Sequence, residues 1–139
     1  MNDDNTTKTL VDTSVWIDFL NESSSEWAER LDHMIEQDEV VISKLIRCEI
    51  LVGIRDDVVF KRTSSYLDGF ETLDDTHPQV LAQAVDIYRK CRRSGITVRT
   101  LVDCIIASTA LRAGRPLFAK DRDFENIKQI FPLNLLQIS

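Results

Sequence analysis

An α/β fold, with helices on both faces of a central, mostly parallel sheet, is what this sequence predicts, and three features predict it. Short apolar runs of strand character, at Thr9-Leu10-Val11, Val40-Val41-Ile42 and Leu117-Phe118-Ala119, alternate with longer stretches whose apolar residues recur at three- and four-residue spacing. That alternation is the pattern of parallel strands joined by helical crossovers. The helical stretches also carry start and stop signals, a hydroxyl or acid in front and Ser94-Gly95 or Gly114 behind.

In chain order, residues 1–8 are a polar tail and residues 9–139 read as one domain, with no internal repeat or linker. The first strand stops at Asp12, and Thr13-Ser14 lead into a helix bearing Val15, Trp16, Phe19 and Leu20. Residues 21–25 are a turn and cap region, and residues 26–37 an amphipathic helix with Trp27, Leu31 and Met34/Ile35 on one side. The β-branched run Val40-Val41-Ile42 is a buried strand. Ser43 can cap a helix over residues 44–55, apolar at Leu45, Ile46, Ile50 and Ile54. Asp56-Asp57 open a helix that runs to Gly69, and residues 71–73 form a short strand. His77-Pro78 starts a helix reaching Arg93, with proline tolerated in its first turn and cations favoured in its last. Residues 100–113 make the most apolar helix. A strand at 116–119, a turn and short helix at 121–127 and an edge strand within 133–138 complete the chain.

Composition narrows the function. At 139 residues, 43% hydrophobic and 29% charged, the chain suits an ordinary globular domain. No apolar run is long enough to span a bilayer, and the N-terminus lacks the basic start and apolar core of a signal peptide, so cytoplasmic residence is expected. Cys48, Cys91 and Cys104 are odd in number and widely spaced, which suits buried reduced thiols. His33 and His77 are the only histidines, and neither sits where a zinc site or a Ser-His-Asp triad would need it. The net charge of −6 hides an asymmetry: nine basic and two acidic residues lie between Arg89 and Arg122, so that segment is +7 and the remainder −13. Such a division points to a polyanion-facing surface, though a solvated helix face gives the same pattern.

Several carboxylates stand where local structure does not ask for them. Asp12 ends a strand, and ligands of open α/β sheets sit at the carboxyl ends of strands; capping the next helix is the plainer role. Asp103 is the only charge between Thr100 and Leu111, with Ile106, Ala107 and Ala110 on its face. An unpaired buried charge costs several kcal/mol, so Asp103 either completes the Thr100-x-x-Asp103 capping pattern or has a strong partner. Glu49 lies mid-helix behind Leu45 and Ile46, beyond any cap. Asp121 and Asp123 follow a strand; one of them can cap the short helix and leave the other free. At one rim of a parallel sheet these acids would raise each other's pKa, and a hard divalent cation is the economical remedy. Without histidine or cysteine nearby, Mg²⁺ or Mn²⁺ fits better than zinc. Such a site can polarise a phosphodiester and activate water without a protein nucleophile.

Together, Leu10-Val11-Asp12-Thr13-Ser14, Glu49 in its helix, Leu101-Val102-Asp103-Cys104-Ile105-Ile106-Ala107 and Phe118-Ala119-Lys120-Asp121-Arg122-Asp123-Phe124 resemble a PIN-domain ribonuclease of the VapC toxin type. The resemblance spans the chain from about Leu10 to its end. It implies a PIN-like three-layer α/β/α sandwich. It also implies Mg²⁺-dependent endoribonuclease activity leaving a 5′ phosphate and a 3′ hydroxyl, a homodimer and a cognate VapB-like antitoxin. By position, Asp12, Glu49 and Asp103 match the three metal-holding acids, Asp121 the fourth with Asp123 the next candidate, and Thr13 or Ser14 the hydroxyl beside the first acid. Within the basic segment, Arg99, Lys120 and Arg122 are the RNA-facing candidates, and Trp16, Phe19, Leu20 and Trp27 the apolar residues available to an antitoxin.

Two other classes fit less well. A phosphoacceptor receiver-like domain wants an acidic pair at the first strand end and an acceptor closing the third strand. Here there is a single Asp12, and Thr72-Leu73-Asp74-Asp75 makes a poor acceptor site. A haloacid-dehalogenase phosphatase wants a second acid where Ser14 stands. A non-catalytic binding module, its acids merely caps and ion pairs, leaves Glu49 and Asp103 on apolar stripes without a reason.

Overall fold

The structure, a computed structural model, describes residues 8–138. The expected tail at residues 1–8 lies outside it except for Lys8, whose ammonium pairs with Asp38 at 3.4 Å. The elements are β1 (Thr9–Val11), α1 (Thr13–Leu20), α2 (Glu26–Glu36), β2 (Val40–Ser43), α3 (Lys44–Val52), α4 (Asp57–Leu67), β3 (Thr72–Leu73), α5 (Pro78–Arg93), α6 (Leu101–Ala113), β4 (Leu117–Phe118), α7 (Arg122–Lys128) and β5 (Leu135–Leu136).

The five strands form one sheet in the order β3-β2-β1-β4-β5, and every adjacent pair is parallel. The chain steps outward from β1 to β3, then crosses back over β1 to β4 and steps the other way. Right-handed crossovers therefore put α1 to α4 on one face and α5 to α7 on the other. The order reverses between β1 and β4. Crevices that bind ligands open at such a reversal, beyond the carboxyl ends of the strands. Asp12 follows β1 directly.

Leu10 and Val11 of β1, Val41 and Ile42 of β2 and Leu117 of β4 are fully buried, because helices cover both faces. Trp16 is also fully buried, edge-on to Phe70 at 5.2 Å and to Phe19 at 6.1 Å. It is therefore core and unable to meet a partner. Trp27 stacks on Phe118 at 5.1 Å, so its ring packs against β4. Full burial of a large apolar side chain contributes roughly 1.5–3 kcal/mol, and the half-buried Trp27 contributes less. On the other face α5 and α6 run antiparallel, tied where the Ser108 hydroxyl donates to the Val80 carbonyl at 2.9 Å.

Helix ends follow the signals in the sequence. The hydroxyls of Ser25, Ser43 and Thr100 accept from backbone N–H groups of α2, α3 and α6. Gly114, at φ 65°, ends α6 in the left-handed conformation that glycine adopts without strain. Helix α3 stops at Val52, three residues before the expected end, because Gly53 closes it and leaves Ile54 outside. Cys91 and Cys104 are buried, but Cys48 is exposed on α3, contrary to the expectation of three buried thiols.

Candidate metal centre

Asp12 begins the site. It holds the N-cap position of α1, yet its side chain makes no capping bond, so the plainer role assigned to it fails. Instead its Oδ2 accepts a hydrogen bond from the Ser14 hydroxyl at 3.2 Å. The neighbouring Thr13 hydroxyl donates to Glu49 Oε1 at 2.6 Å, joining the start of α1 to the middle of α3. Burial, with the charges of Glu49 and Asp121 adding to it, pushes the Asp12 carboxyl up to about 6.

Asp103 lies in the first turn of α6, where Thr100 caps by accepting from the Asp103 N–H at 3.2 Å. The reciprocal bond of a capping box is not made, so the Asp103 carboxyl is left for another purpose. It converges with Asp121 and Asp123: one oxygen from each of the three lies within 4.8 Å of the other two. Burial pushes Asp103 up to about 8, helped by a hydrogen bond with Asp123 and by the charges of Asp121, Asp12 and Asp123.

The pair after β4 divides its work. Asp121 caps α7, accepting from the Asp123 N–H at 2.9 Å. Asp123 is buried and accepts from the Arg99 backbone N–H at 3.1 Å. The Arg99 guanidinium spans both acids, with Nη2 2.7 Å from Asp121 and Nε 3.3 Å from Asp123. Asp121 thus has the capping role foreseen for one of the pair and still keeps a place among the clustered oxygens.

Glu49, Arg99, Thr100, Val102, Asp103, Asp121 and Asp123 line one open cleft of about 380 Å³. Asp12 stands beside it, close enough for its charge to act on Asp103. The donors are all carboxylate oxygens, with no histidine or cysteine in the cluster, and such a set suits a hard divalent cation.

The basic segment does not gather at this cleft as a whole. Arg115 bonds Glu71 at 3.1 Å and the Lys8 carbonyl at 3.5 Å, residues that precede β3 and β1. It therefore lies at the amino edge of the sheet, opposite the acids. Arg112 bonds Gln79 on α5. Lys120 is held by Asp18 at 2.7 Å, tying the β4–α7 connection to α1. That ion pair, which lowers the Asp18 pKa, escaped sequence reasoning, since 102 residues separate the partners. Asp75 was missed as well: it is buried, and its Oδ1 accepts from Leu45 N–H at 2.8 Å, fixing the start of the helix that carries Glu49. Asp74, which directly follows β3, is held by Thr76 and Lys44, and β3 is an edge strand separated from β1 by β2, away from Asp12.

A family model described as the PIN domain matches residues 9–130, a stretch that includes every acid of the cleft. The chain belongs to the PIN domain family. Among curated proteins, this PIN domain is similar to VapC ribonuclease Mb1587 of Mycobacterium bovis and to Ribonuclease VapC11 of Mycobacterium tuberculosis. Each is 31% identical over 123 residues, covering 87% of this chain and 92% of the relative. Among solved structures it resembles VapBC2 from Rickettsia felis bound to a DNA fragment of its promoter, with TM-score 0.75 and 15% identity over 96% of this chain and 100% of that one. A toxin–antitoxin complex from Klebsiella pneumoniae gives TM-score 0.72 and 20% identity over 93% and 96%. At those identities the structures speak for the fold, and the α/β/α sandwich expected from the sequence is borne out. So is the resemblance to the VapC type. Among the described residues no helix is long and apolar enough to cross a membrane.

Proposed function

We propose that this PIN domain is a Mg²⁺-dependent endoribonuclease, the toxin of a VapBC-type pair, that hydrolyses RNA phosphodiesters at the acidic cleft. The observation that carries the reading is the meeting of Asp103, Asp121 and Asp123 beside Glu49 and Asp12, acids drawn from four separate parts of the chain. Relatives named as VapC ribonucleases support the choice of RNA as substrate.

The residues fit a divalent cation. Burial, with repulsion from neighbouring acids added to it, holds Asp12 and Asp103 far above the ordinary carboxylate range, and a bound cation would favour their charged forms. Asp12, Glu49, Asp103 and Asp121 would hold it, with Asp123 beside them. Bound there, Mg²⁺ or Mn²⁺ would polarise the scissile phosphate, lower the pKa of the attacking water and stabilise the leaving oxygen. The chain's own groups do the positioning. Thr13 fixes Glu49, Ser14 fixes Asp12, and the backbone N–H of Arg99 fixes Asp123. Arg99, which lines the cleft, and the exposed Arg122, which follows Asp121 in sequence, offer phosphate contacts that orient RNA without reading its sequence.

A VapB-like antitoxin is the expected partner, in a cytoplasmic homodimer. Phe19 and Leu20, with Ile17, Ile50, Ile54 and Tyr66, line an apolar cleft of about 610 Å³ between α1, α3 and α4 that suits an apolar segment. The test is cleavage of a mixed RNA pool by the purified chain in Mg²⁺, Mn²⁺ and chelator. Cleavage that needs the metal and yields 5′ phosphates is expected. Cleavage unaffected by chelator, or none by a folded chain, rejects the reading.

A further inference from the structure

We propose that Arg99 is a built-in competitor for the divalent cation, its guanidinium occupying the carboxylate oxygens that the cation must take. The inference rests on the metal-site reading above and adds to it how loading of that site is controlled.

The argument begins with occupancy. Arg99 Nη2 and Nε point at Asp121 and at both oxygens of Asp123, two of the three acids whose oxygens cluster. A guanidinium stays charged at any pH the fold survives, so it cannot yield by losing a proton. It can yield only by moving. A cation arriving at these oxygens meets a fixed positive charge within hydrogen-bond reach of the same atoms, and the two repel strongly in a partly buried cleft.

The structure leaves Arg99 a way out. Its side chain is 64% exposed, whereas that of Asp123 is 4% exposed. The backbone N–H of Arg99 makes its own bond to Asp123, so the carboxylate stays anchored when the guanidinium leaves. The cleft then has two arrangements: acids paired with Arg99, or acids on the cation with Arg99 turned outward and its five donors free. A phosphate that captures the outward guanidinium stabilises the second arrangement, so cation and RNA backbone bind cooperatively.

Mn²⁺ binding to the full chain, followed by electron paramagnetic resonance or calorimetry without RNA, tests this. Arg99→Gln should bind Mn²⁺ about tenfold more tightly than the parent chain. Its melting temperature in chelator should fall, because Asp121 and Asp123 lose their counter-charge, and its upward shift with Mn²⁺ should be the larger of the two. Equal or weaker Mn²⁺ binding by Arg99→Gln overturns the inference and leaves the metal site standing. Mn²⁺ binding absent from both chains overturns the metal site and the inference together. Should Arg99→Gln not fold, Arg99→Lys serves, since an ammonium cannot bridge both acids as a guanidinium fork does. A gain of roughly threefold is then expected, and no gain rejects the inference.

Discussion

The two walls of the cleft hold their acids by different means. On one wall, Asp12 and Glu49 accept hydrogen bonds from the Ser14 and Thr13 hydroxyls. On the other, Asp121 and Asp123 lie against the Arg99 guanidinium, and Asp103 leans on Asp123. A hydroxyl orients a carboxylate without cancelling its charge, whereas a guanidinium does both. The first wall is thus aimed and left negative. The second is partly neutralised until something displaces its guanidinium. The difference teaches that a metal-binding cleft can be kept stable between loadings by compensating one side of it.

Removing an acid from either wall should have the largest effect. Asp12→Asn and Asp103→Asn should each lower RNA cleavage by about 10²- to 10³-fold while the chain stays folded by circular dichroism. Full activity in either variant would show that its wall is not part of the reaction site. Next come the hydroxyls of the first wall. Thr13→Val, which frees Glu49, should cost about tenfold in cleavage, and Ser14→Ala, whose bond is longer, only a few-fold. The reverse order would mean that Asp12, not Glu49, depends on its hydroxyl.

Stability against pH probes the charge left on both walls. Folded Asp103 and Asp12 titrate at about 8 and about 6, above the ordinary 3.8. Between those values the folded chain binds more protons than the unfolded one, so metal-free stability falls as pH rises from about 4 towards 8. After allowance for solvent screening the loss is about 1–2 kcal/mol, so melting in chelator should come roughly 5 °C lower near pH 8 than near pH 5.5. Asp103→Asn should flatten the profile, and a slope that survives it would assign the effect to other groups. The smallest effect belongs to Lys120, outside both walls. Breaking its pair with Asp18 by Lys120→Met should cost about 0.5 kcal/mol and leave the salt dependence of RNA binding unchanged. A shallower slope would make Lys120 a phosphate contact after all.

The acids were legible in the sequence because each broke a local rule. Asp103 interrupts an apolar helix, Glu49 sits on an apolar stripe beyond any cap, and Asp12 closes a strand. The alternation of strands and helices gave the layers for the same reason: period and punctuation are local. What joined the acids to their partners was not local. Arg99 and Lys120 read equally well as RNA contacts until the strand order showed which carboxylates they reach. The run of positive charge from Arg89 to Arg122 looked like one surface, yet Arg115 is delivered to the far edge of the sheet. Composition also failed to separate Trp16, which is core, from Phe19 and Leu20, which line a cleft three and four residues later.

The outermost strands, β3 and β5, are only two residues long. A bare sheet edge invites another polypeptide to continue the ladder, and the invitation scales with the row of unpaired amides on offer. Here that row is almost nothing on either flank. The flanks of this sheet therefore offer another polypeptide little backbone to pair with, and backbone is the one feature that all proteins have in common.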